Sequence, residues 1–128
     1  MPIKIAIIED EPSILQLYQF KFEAAGYEVG TAIDGKAGLE LLEKTCPDLV
    51  LLDLRMPTMD GAEMLEKLRA TVWGSEIRVI ILTNISRDEA PASLRFLSVD
   101  RYIVKAHHTP AQILQIVEEV LGAQPSRS

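Results

Sequence analysis

Five short apolar runs, most of them followed by a stretch of helical periodicity, recur along this chain, and that alternation leaves few folds open. Ile3 to Ile8 (IKIAII) is a β-rich run. Pro12 then stands at a first helical position, with Ile14, Leu17, Tyr18, Phe22 and Ala25 at helical spacing and Gly26 as a left-handed terminator. Tyr27 to Ala32 (YEVGTA) alternates as a half-buried strand does, and Asp34 can cap a second helix whose apolar face is Ala37, Gly38, Leu41 and Leu42. After a Pro47-Asp48 turn, Leu49 to Leu52 (LVLL) is continuously apolar, as a strand covered on both faces should be. Asp60-Gly61-Ala62-Glu63 has capping-box spacing and opens a third helix with Met64, Leu65 and Leu68 inward. Ile77 to Leu82 is a further buried strand. The segment from about Asp88 to Leu97 reads as a weaker helix that starts late or frays around Pro91. Arg101 to Val104 is the fifth strand. Thr109-Pro110-Ala111-Gln112 then combines an N-cap, a first-position proline and a capping-box glutamine ahead of the stripe Ile113, Ile116, Val117, Val120 and Leu121.

Five strands alternating with five helices predict an α/β domain: parallel strands, right-handed crossovers and helices on both faces of one sheet. The 128 residues, 48% of them apolar, suit one domain with a sizeable core. Its expected extent is 1–123, leaving 124–128 as a polar tail or linker stump. No apolar run approaches the length of a membrane span, and the N-terminal run passes straight into acids rather than to a signal-peptide cleavage site. The single Cys46 cannot form an internal disulfide; it is expected to be a small buried or half-buried hydrophobe in a reducing, cytoplasmic setting. Net charge is −6, from 19 acids against 13 Lys plus Arg, and no basic stripe with interleaved aromatics occurs. Direct nucleic-acid binding is therefore not expected of this chain.

In an open parallel sheet, ligands sit beyond the carboxyl ends of the strands, near the switch point in strand order. The residues standing there are unequal. Glu9, Asp10 and Glu11 follow the first strand, Asp53 the third, Thr83 the fourth and Lys105 the fifth, whereas the second ends in Thr31-Ala32-Ile33 without charge. The four polar termini should be contiguous and the second strand at an edge. The order 2-1-3-4-5 does this and brings Glu9, Asp10 and Asp53 together. Three close carboxylates need a raised pKa or a bound cation. An open, all-oxygen donor set suits Mg²⁺. A metal, the Lys105 ammonium and the Thr83 hydroxyl around one carboxylate suit stabilisation of a transferring phosphoryl group, with the carboxylate itself able to serve as acceptor.

With IAIIEDEP, LVLLDLRMPTMDG, VIILTN and YIVK in this order, the chain resembles the receiver domain of two-component response regulators over about residues 3–122. The block LDLRMPTMDG is the most specific part. The resemblance implies a flavodoxin-like (βα)5 fold and the following roles. Asp53 accepts the phosphoryl group. Asp10 ligates Mg²⁺ directly, Glu9 through water, and the backbone carbonyl of Arg55 adds a ligand. Lys105 pairs with phosphoryl oxygens. Thr83 bonds one of them, and Tyr102 swings inward as Thr83 moves. Glu11 is left as a helix-start acid. The implied donor is a histidine kinase or phosphotransfer protein. The implied output is a further domain or a downstream protein, met through the fourth helix, fifth strand and fifth helix, with homodimerisation on phosphorylation left open. Such a chain promotes its own phosphorylation and dephosphorylation without being a turnover enzyme.

Three departures from the family pattern stand out. Glu9 replaces a usual aspartate. Ala106 follows the lysine where a proline is usual, so this peptide is expected trans, with 106–108 reshaped. Asn84 replaces a small residue, and Arg55 and Ile85 are bulky at positions flanking the path of the hydrolytic water, which predicts slow loss of phosphate. The main competing reading is a degenerate receiver acting as a phosphate-independent binding module, against which Asp53, Thr83 and Lys105 argue. A flavin-binding electron carrier would need a phosphate-cradling loop where this chain has acids. A dehalogenase-type phosphatase would need a second aspartate at Arg55.

Overall fold

The computed structural model describes residues 2–122; the tail expected at 124–128 lies outside them. The elements are β1 (Lys4–Ile8), α1 (Pro12–Ala24), β2 (Glu28–Ala32), α2 (Gly35–Thr45), β3 (Leu49–Leu52), α3 (Gly61–Arg69), β4 (Arg78–Thr83), β5 (Arg101–Val104) and α4 (Pro110–Gly122). The five strands form one sheet in the order β2-β1-β3-β4-β5, every neighbouring pair parallel. The local signals act as read. Pro12 opens α1 and Gly26, at φ +99°, closes it. The Asp34 side chain accepts from the Ala37 N–H at 2.8 Å and that of Asp60 from the Glu63 N–H at 2.9 Å. Thr109 and Gln112 satisfy each other's backbone N–H groups with their side chains.

The period of two along the strands divides the core into two layers. Ile5, Ile7, Leu49, Leu51, Ile80 and Leu82 face α1 and α4, where Phe22, Ile113 and Val117 meet them. Ala6, Ile8, Val50, Leu52, Val79 and Ile81 face α2 and α3, meeting Leu42, Met64, Leu65 and Leu68. With both faces covered, the carboxyl edge of the sheet is where polar groups can gather. No described helix is long and apolar enough to cross a membrane.

Two expectations are corrected. The helix read at 88–97 is not an α-helix: Arg87–Glu89 and Ala92–Phe96 form separate 3-10 turns, and the described residues hold four α-helices, not five. Pro91 explains the break. It lacks the N–H that would close a helical turn, and it holds Ala90 in an extended conformation (ψ 150°). The five residues after it end near Ser98 at φ +58°, too few to propagate a helix. The other correction is Cys46, which is exposed. It occupies the left-handed C-cap of α2 at φ +43°, a place glycine usually takes, with its N–H bonded to Leu42 O at 2.8 Å. The Lys105–Ala106 peptide is trans, and Lys105–His107 forms a short 3-10 turn with His107 exposed and His108 half-buried.

Candidate functional site

Ile8 of β1 lies opposite Leu52 of β3. The ladder runs one residue past each strand: the Asp53 N–H donates to Ile8 O and the Glu9 N–H to Ala32 O, both at 3.0 Å. Sheet pairing thus carries Glu9 and Asp53 side by side to the switch point. Both are buried, at 3% and 6% exposure, while Asp10 next to them is exposed. One carboxylate oxygen from each of Glu9, Asp10 and Asp53 lies within 4.8 Å of the others.

The cluster is held by specific bonds. Asp53 Oδ1 accepts from the Arg55 N–H at 3.2 Å, and its Oδ2 from Lys105 Nζ at 3.3 Å. Lys105, just past β5, also forms an ion pair with Glu9 Oε1. Glu9 Oε2 accepts from the Glu11 N–H at 3.2 Å. One ammonium thus serves two buried carboxylates, and the pKa directions follow. Burial pushes the Glu9 carboxyl up; the Lys105 bond opposes this and the Asp53 charge adds to it. Burial also works against the Lys105 charge, but the Glu9 bond and the Asp53 charge outweigh it and hold the ammonium above the ordinary lysine range. The donors are all oxygen, Asp10 is open to solvent, and the acids outnumber the cation, so the set fits a small hard cation.

Gly61 sets the depth of the site. A Cβ there would meet Leu54 Cα at 2.9 Å and the Asp53 carbonyl oxygen closer still. The start of α3 therefore rests directly on the backbone of Asp53, which is the physical need behind Asp60-Gly61. A cleft of about 590 Å³ opens in front, lined among others by Asp10, Arg55, Met56 and Ile85.

Thr83 and Tyr102 stand to one side. Thr83, 1% exposed, ends β4 and pairs with Val104, the residue before Lys105. Its Oγ1 accepts weakly from the Ile85 N–H at 3.4 Å. The Tyr102 hydroxyl donates to Ile85 O at 2.6 Å, and the Arg87 guanidinium lies 5.5 Å over its ring. The structure therefore brings Glu9, Asp10, Asp53 and Lys105 into one cluster and joins Thr83 to Tyr102 through Ile85. Glu11 is the exposed N-cap of α1 and its side chain makes no cap bond. Two pairings escaped sequence reading: Glu9 with Lys105, 96 residues apart, and Arg87 with Tyr102. Nothing local in the sequence signals either.

Fold and edge together define a class: doubly wound α/β domains with a lysine-braced acidic cluster at the switch point. The family profile of the response regulator receiver domain matches residues 5–118. The chain is 32% identical over 124 residues to the phosphate regulon transcriptional regulatory protein PhoB of Rhizobium meliloti, covering 95% of this chain and 54% of that protein. Among solved structures, a CheY-like receiver domain protein of Methanospirillum hungatei superposes with a TM-score of 0.86 at 29% identity over 100% of both chains. The receiver domain of the sensor histidine kinase PA1611 of Pseudomonas aeruginosa, solved with magnesium coordinated in its active-site cleft, gives 0.82 at 22% identity over 95% of this chain and 99% of that one, a likeness of fold alone. This chain belongs to the response regulator receiver domain family of two-component signalling. It spans about half the length of the curated relatives it matches.

Proposed function

We propose that this domain, residues 1–123, is switched by phosphorylation of Asp53 in a magnesium-dependent reaction with a histidine kinase or phosphotransfer protein, in a cytoplasmic setting. One observation carries the reading: the Asp53 carboxylate is buried at the switch point between two further acids and a lysine that reaches it from the far side of the sheet. Asp10, Asp53 and the Arg55 carbonyl would hold Mg²⁺, with Glu9 behind a water. When bound, the ion supplies positive charge to the phosphoryl oxygens. One Asp53 oxygen attacks phosphorus as the bond to the donor nitrogen breaks. Lys105 meets charge on the transferred group, and the Thr83 hydroxyl bonds one of its oxygens. Enclosure of Asp53 restricts the approach of water to the acyl phosphate, so loss of phosphate is slow and waits on a water admitted through the cleft; the chain promotes its own phosphorylation and dephosphorylation in this way without turnover of a separate substrate.

The consequence is a change in partner affinity over the 3-10 turns at 87–96, β5 and α4, which stand where the fourth helix, fifth strand and fifth helix were expected. PhoB is a transcriptional regulator longer than this chain. An output domain of that kind, rather than this acidic chain, would contact nucleic acid. The test is intact mass after incubation with acetyl phosphate, with Mg²⁺, with EDTA, and for Asp53→Asn. One phosphate, dependent on Mg²⁺ and absent in the variant, is expected. No adduct on a chain that binds Mg²⁺ would mean a phosphate-independent binding module instead.

A further inference from the structure

The two 3-10 turns at 87–96 and the start of β5 enclose a second cleft, of about 680 Å³, where an unbroken helix was expected. Its floor is apolar: Leu94, Val99 and Tyr102 are half-buried against the core layer that faces α2 and α3. Its rim carries Arg87, Arg95 and Arg101, all exposed, one from each turn and one from β5. Two acids line it as well. Asp100 spends its Oδ2 on the Val79 N–H at 3.0 Å, which leaves Asp88 against three guanidiniums. In a chain of net charge −6 this is a positive concavity. We propose that this cleft binds a carboxylate-rich peptide segment of the downstream partner, with Arg87, Arg95 and Arg101 meeting its acids and the apolar floor taking side chains between them. This rests on the reading of 87–96, β5 and α4 as the partner face.

The class of ligand follows from the lining. The guanidiniums come from three separate stretches of backbone, which suits carboxylates strung along a chain better than one compact anion. Phe96, next to Arg95, is 85% exposed, and a peptide can cover it where a small anion cannot. A nucleic acid would also meet the arginines, but it would press its phosphates against Asp88 and Glu89 of the same turn. The site is tied to the proposed acceptor as well. Pro91 lines both this cleft and the one in front of Asp53. Arg87 lies 5.5 Å over the ring of Tyr102, itself part of the floor. A ring drawn inward on phosphorylation releases that guanidinium to a carboxylate, so the acidic segment should bind about fivefold tighter once Asp53 carries phosphate.

Amide NMR titration with a synthetic peptide of repeated glutamate, leucine and serine both locates the binding and measures it. Shifts are expected to cluster at 87–102. Affinity should fall about tenfold when glutamine replaces the peptide's glutamates, and about two- to fivefold in each of Arg95→Gln and Arg101→Gln. Both arginines are exposed, so losing their charge leaves the fold intact. Lys36→Gln, on α2, is the control for charge at a distance and should stay within about twofold. No shifts at millimolar peptide, equal affinity for the glutamine peptide, shifts centred outside 87–102, or an equal loss in Lys36→Gln would each overturn the inference. Tighter binding of a single-stranded oligonucleotide of equal charge would make the cleft a nucleic-acid site and overturn it too. Equal affinity with and without phosphate on Asp53, or a chain that takes no phosphate at all, sinks the proposed switch and leaves the acidic site standing.

Discussion

Replacing Gly61 with alanine tests whether the start of α3 really sets the position of Asp53. A Cβ at residue 61 meets Leu54 Cα at 2.9 Å and the Asp53 carbonyl carbon at 3.0 Å, against roughly 3.5 Å for unstrained carbon contacts. Both obstacles are backbone at the end of β3, so no rotamer change relieves them; helix and strand must part by a good fraction of an ångström. Two effects compete. Alanine is the better helix former by about 1 kcal/mol in a helix interior, less at this first position. Overpacking costs about 1–3 kcal/mol. The clash wins, and a net loss of about 1–2 kcal/mol is expected in urea unfolding, read as a lower midpoint at unchanged slope. Function should suffer more than stability, because misplacing a reacting group by about 1 Å can cost about 100-fold in rate. Gly26→Ala is the control. At φ +99° it is strained by about 1–2 kcal/mol, but its Cβ would meet nothing within 4 Å, and the turn it sits in leads into the start of β2, at the opposite edge of the sheet from Asp53. Acetyl phosphate labelling should therefore slow by at least tenfold in Gly61→Ala and stay within twofold in Gly26→Ala. Equal labelling rates in the two variants would refute the claim that α3 positions the proposed acceptor.

Three other outcomes follow from the geometry. Arg69 donates to Leu97 O (2.7 Å), Gly74 O (3.0 Å), Ile77 O (2.7 Å) and Ser98 O (2.9 Å), tying the end of α3 to the approaches of β4 and β5. Since the side chain is only half-buried and water can replace part of this, Arg69→Met should cost about 2–4 kcal/mol and Arg69→Lys about half as much; a loss below about 0.5 kcal/mol in the methionine variant would contradict the clamp. Burial pushes the Tyr18 phenol up. A raised phenol stabilises the fold fully below the ordinary tyrosine value and less and less as pH rises through the raised one; burial raises Tyr102 as well, so an ultraviolet titration should show a late ionisation whose amplitude falls, without vanishing, in Tyr18→Phe, and an unchanged late amplitude in that variant would count against it. Finally, with the exposed Arg55 and half-buried Ile85 lining the cleft, phosphate on the proposed acceptor should persist for minutes and leave several-fold faster from Arg55→Ala or Ile85→Ala, as followed by intact mass after the donor is removed.

The fold was legible because its signals are local and agree with one another. Pro12 marks a helix start by its fixed backbone angle and missing N–H, while Gly26, Asp34, Asp60, Thr109 and Gln112 each mark a helix end by a bond to a near neighbour. The acidic cluster was legible one step later, since strand order follows from which strand ends carry polar groups. Where the reading failed, two local rules collided. In 88–97 the apolar spacing spoke for a helix and Pro91 against it, and the proline prevailed because only five residues remained after it. Cys46 was read by its preference for burial, yet its place at the end of α2 fixed both its exposure and its left-handed backbone. The Lys105–Glu9 pair and the Arg69 clamp span 96 residues and up to 29 residues of sequence. Long side chains choose such partners only after the sheet has formed, so no spacing in the sequence points to them.

Ile85 gives the proposed switch a definite lever. Its N–H is bonded to Thr83 Oγ1 at 3.4 Å, and its carbonyl accepts the Tyr102 hydroxyl at 2.6 Å. The two ends of one residue therefore touch the group that would meet phosphate and the ring that would report it. Drawing the Thr83 hydroxyl towards a phosphoryl oxygen removes a long, weak acceptor from Ile85 and frees its backbone to shift. The restraint on the other side is a short neutral hydrogen bond to Ile85 O, worth about 1 kcal/mol, shared at 3.4 Å with Ser86 O, with a cation–π contact from Arg87 at 5.5 Å adding about 0.5–1 kcal/mol at an exposed site. Their sum lies within the ~1–3 kcal/mol typical of coupling between sites. A single charged hydrogen bond from Thr83 to phosphate is of the same size, so the modification is strong enough to reverse the balance and no stronger restraint has to break. Because 87–96 is two short turns rather than a helix, the segment carrying Arg87 can follow the ring without unwinding an α-helix first. Tyr102 ring resonances that stay unchanged on stoichiometric phosphorylation would show that Ile85 does not transmit the change.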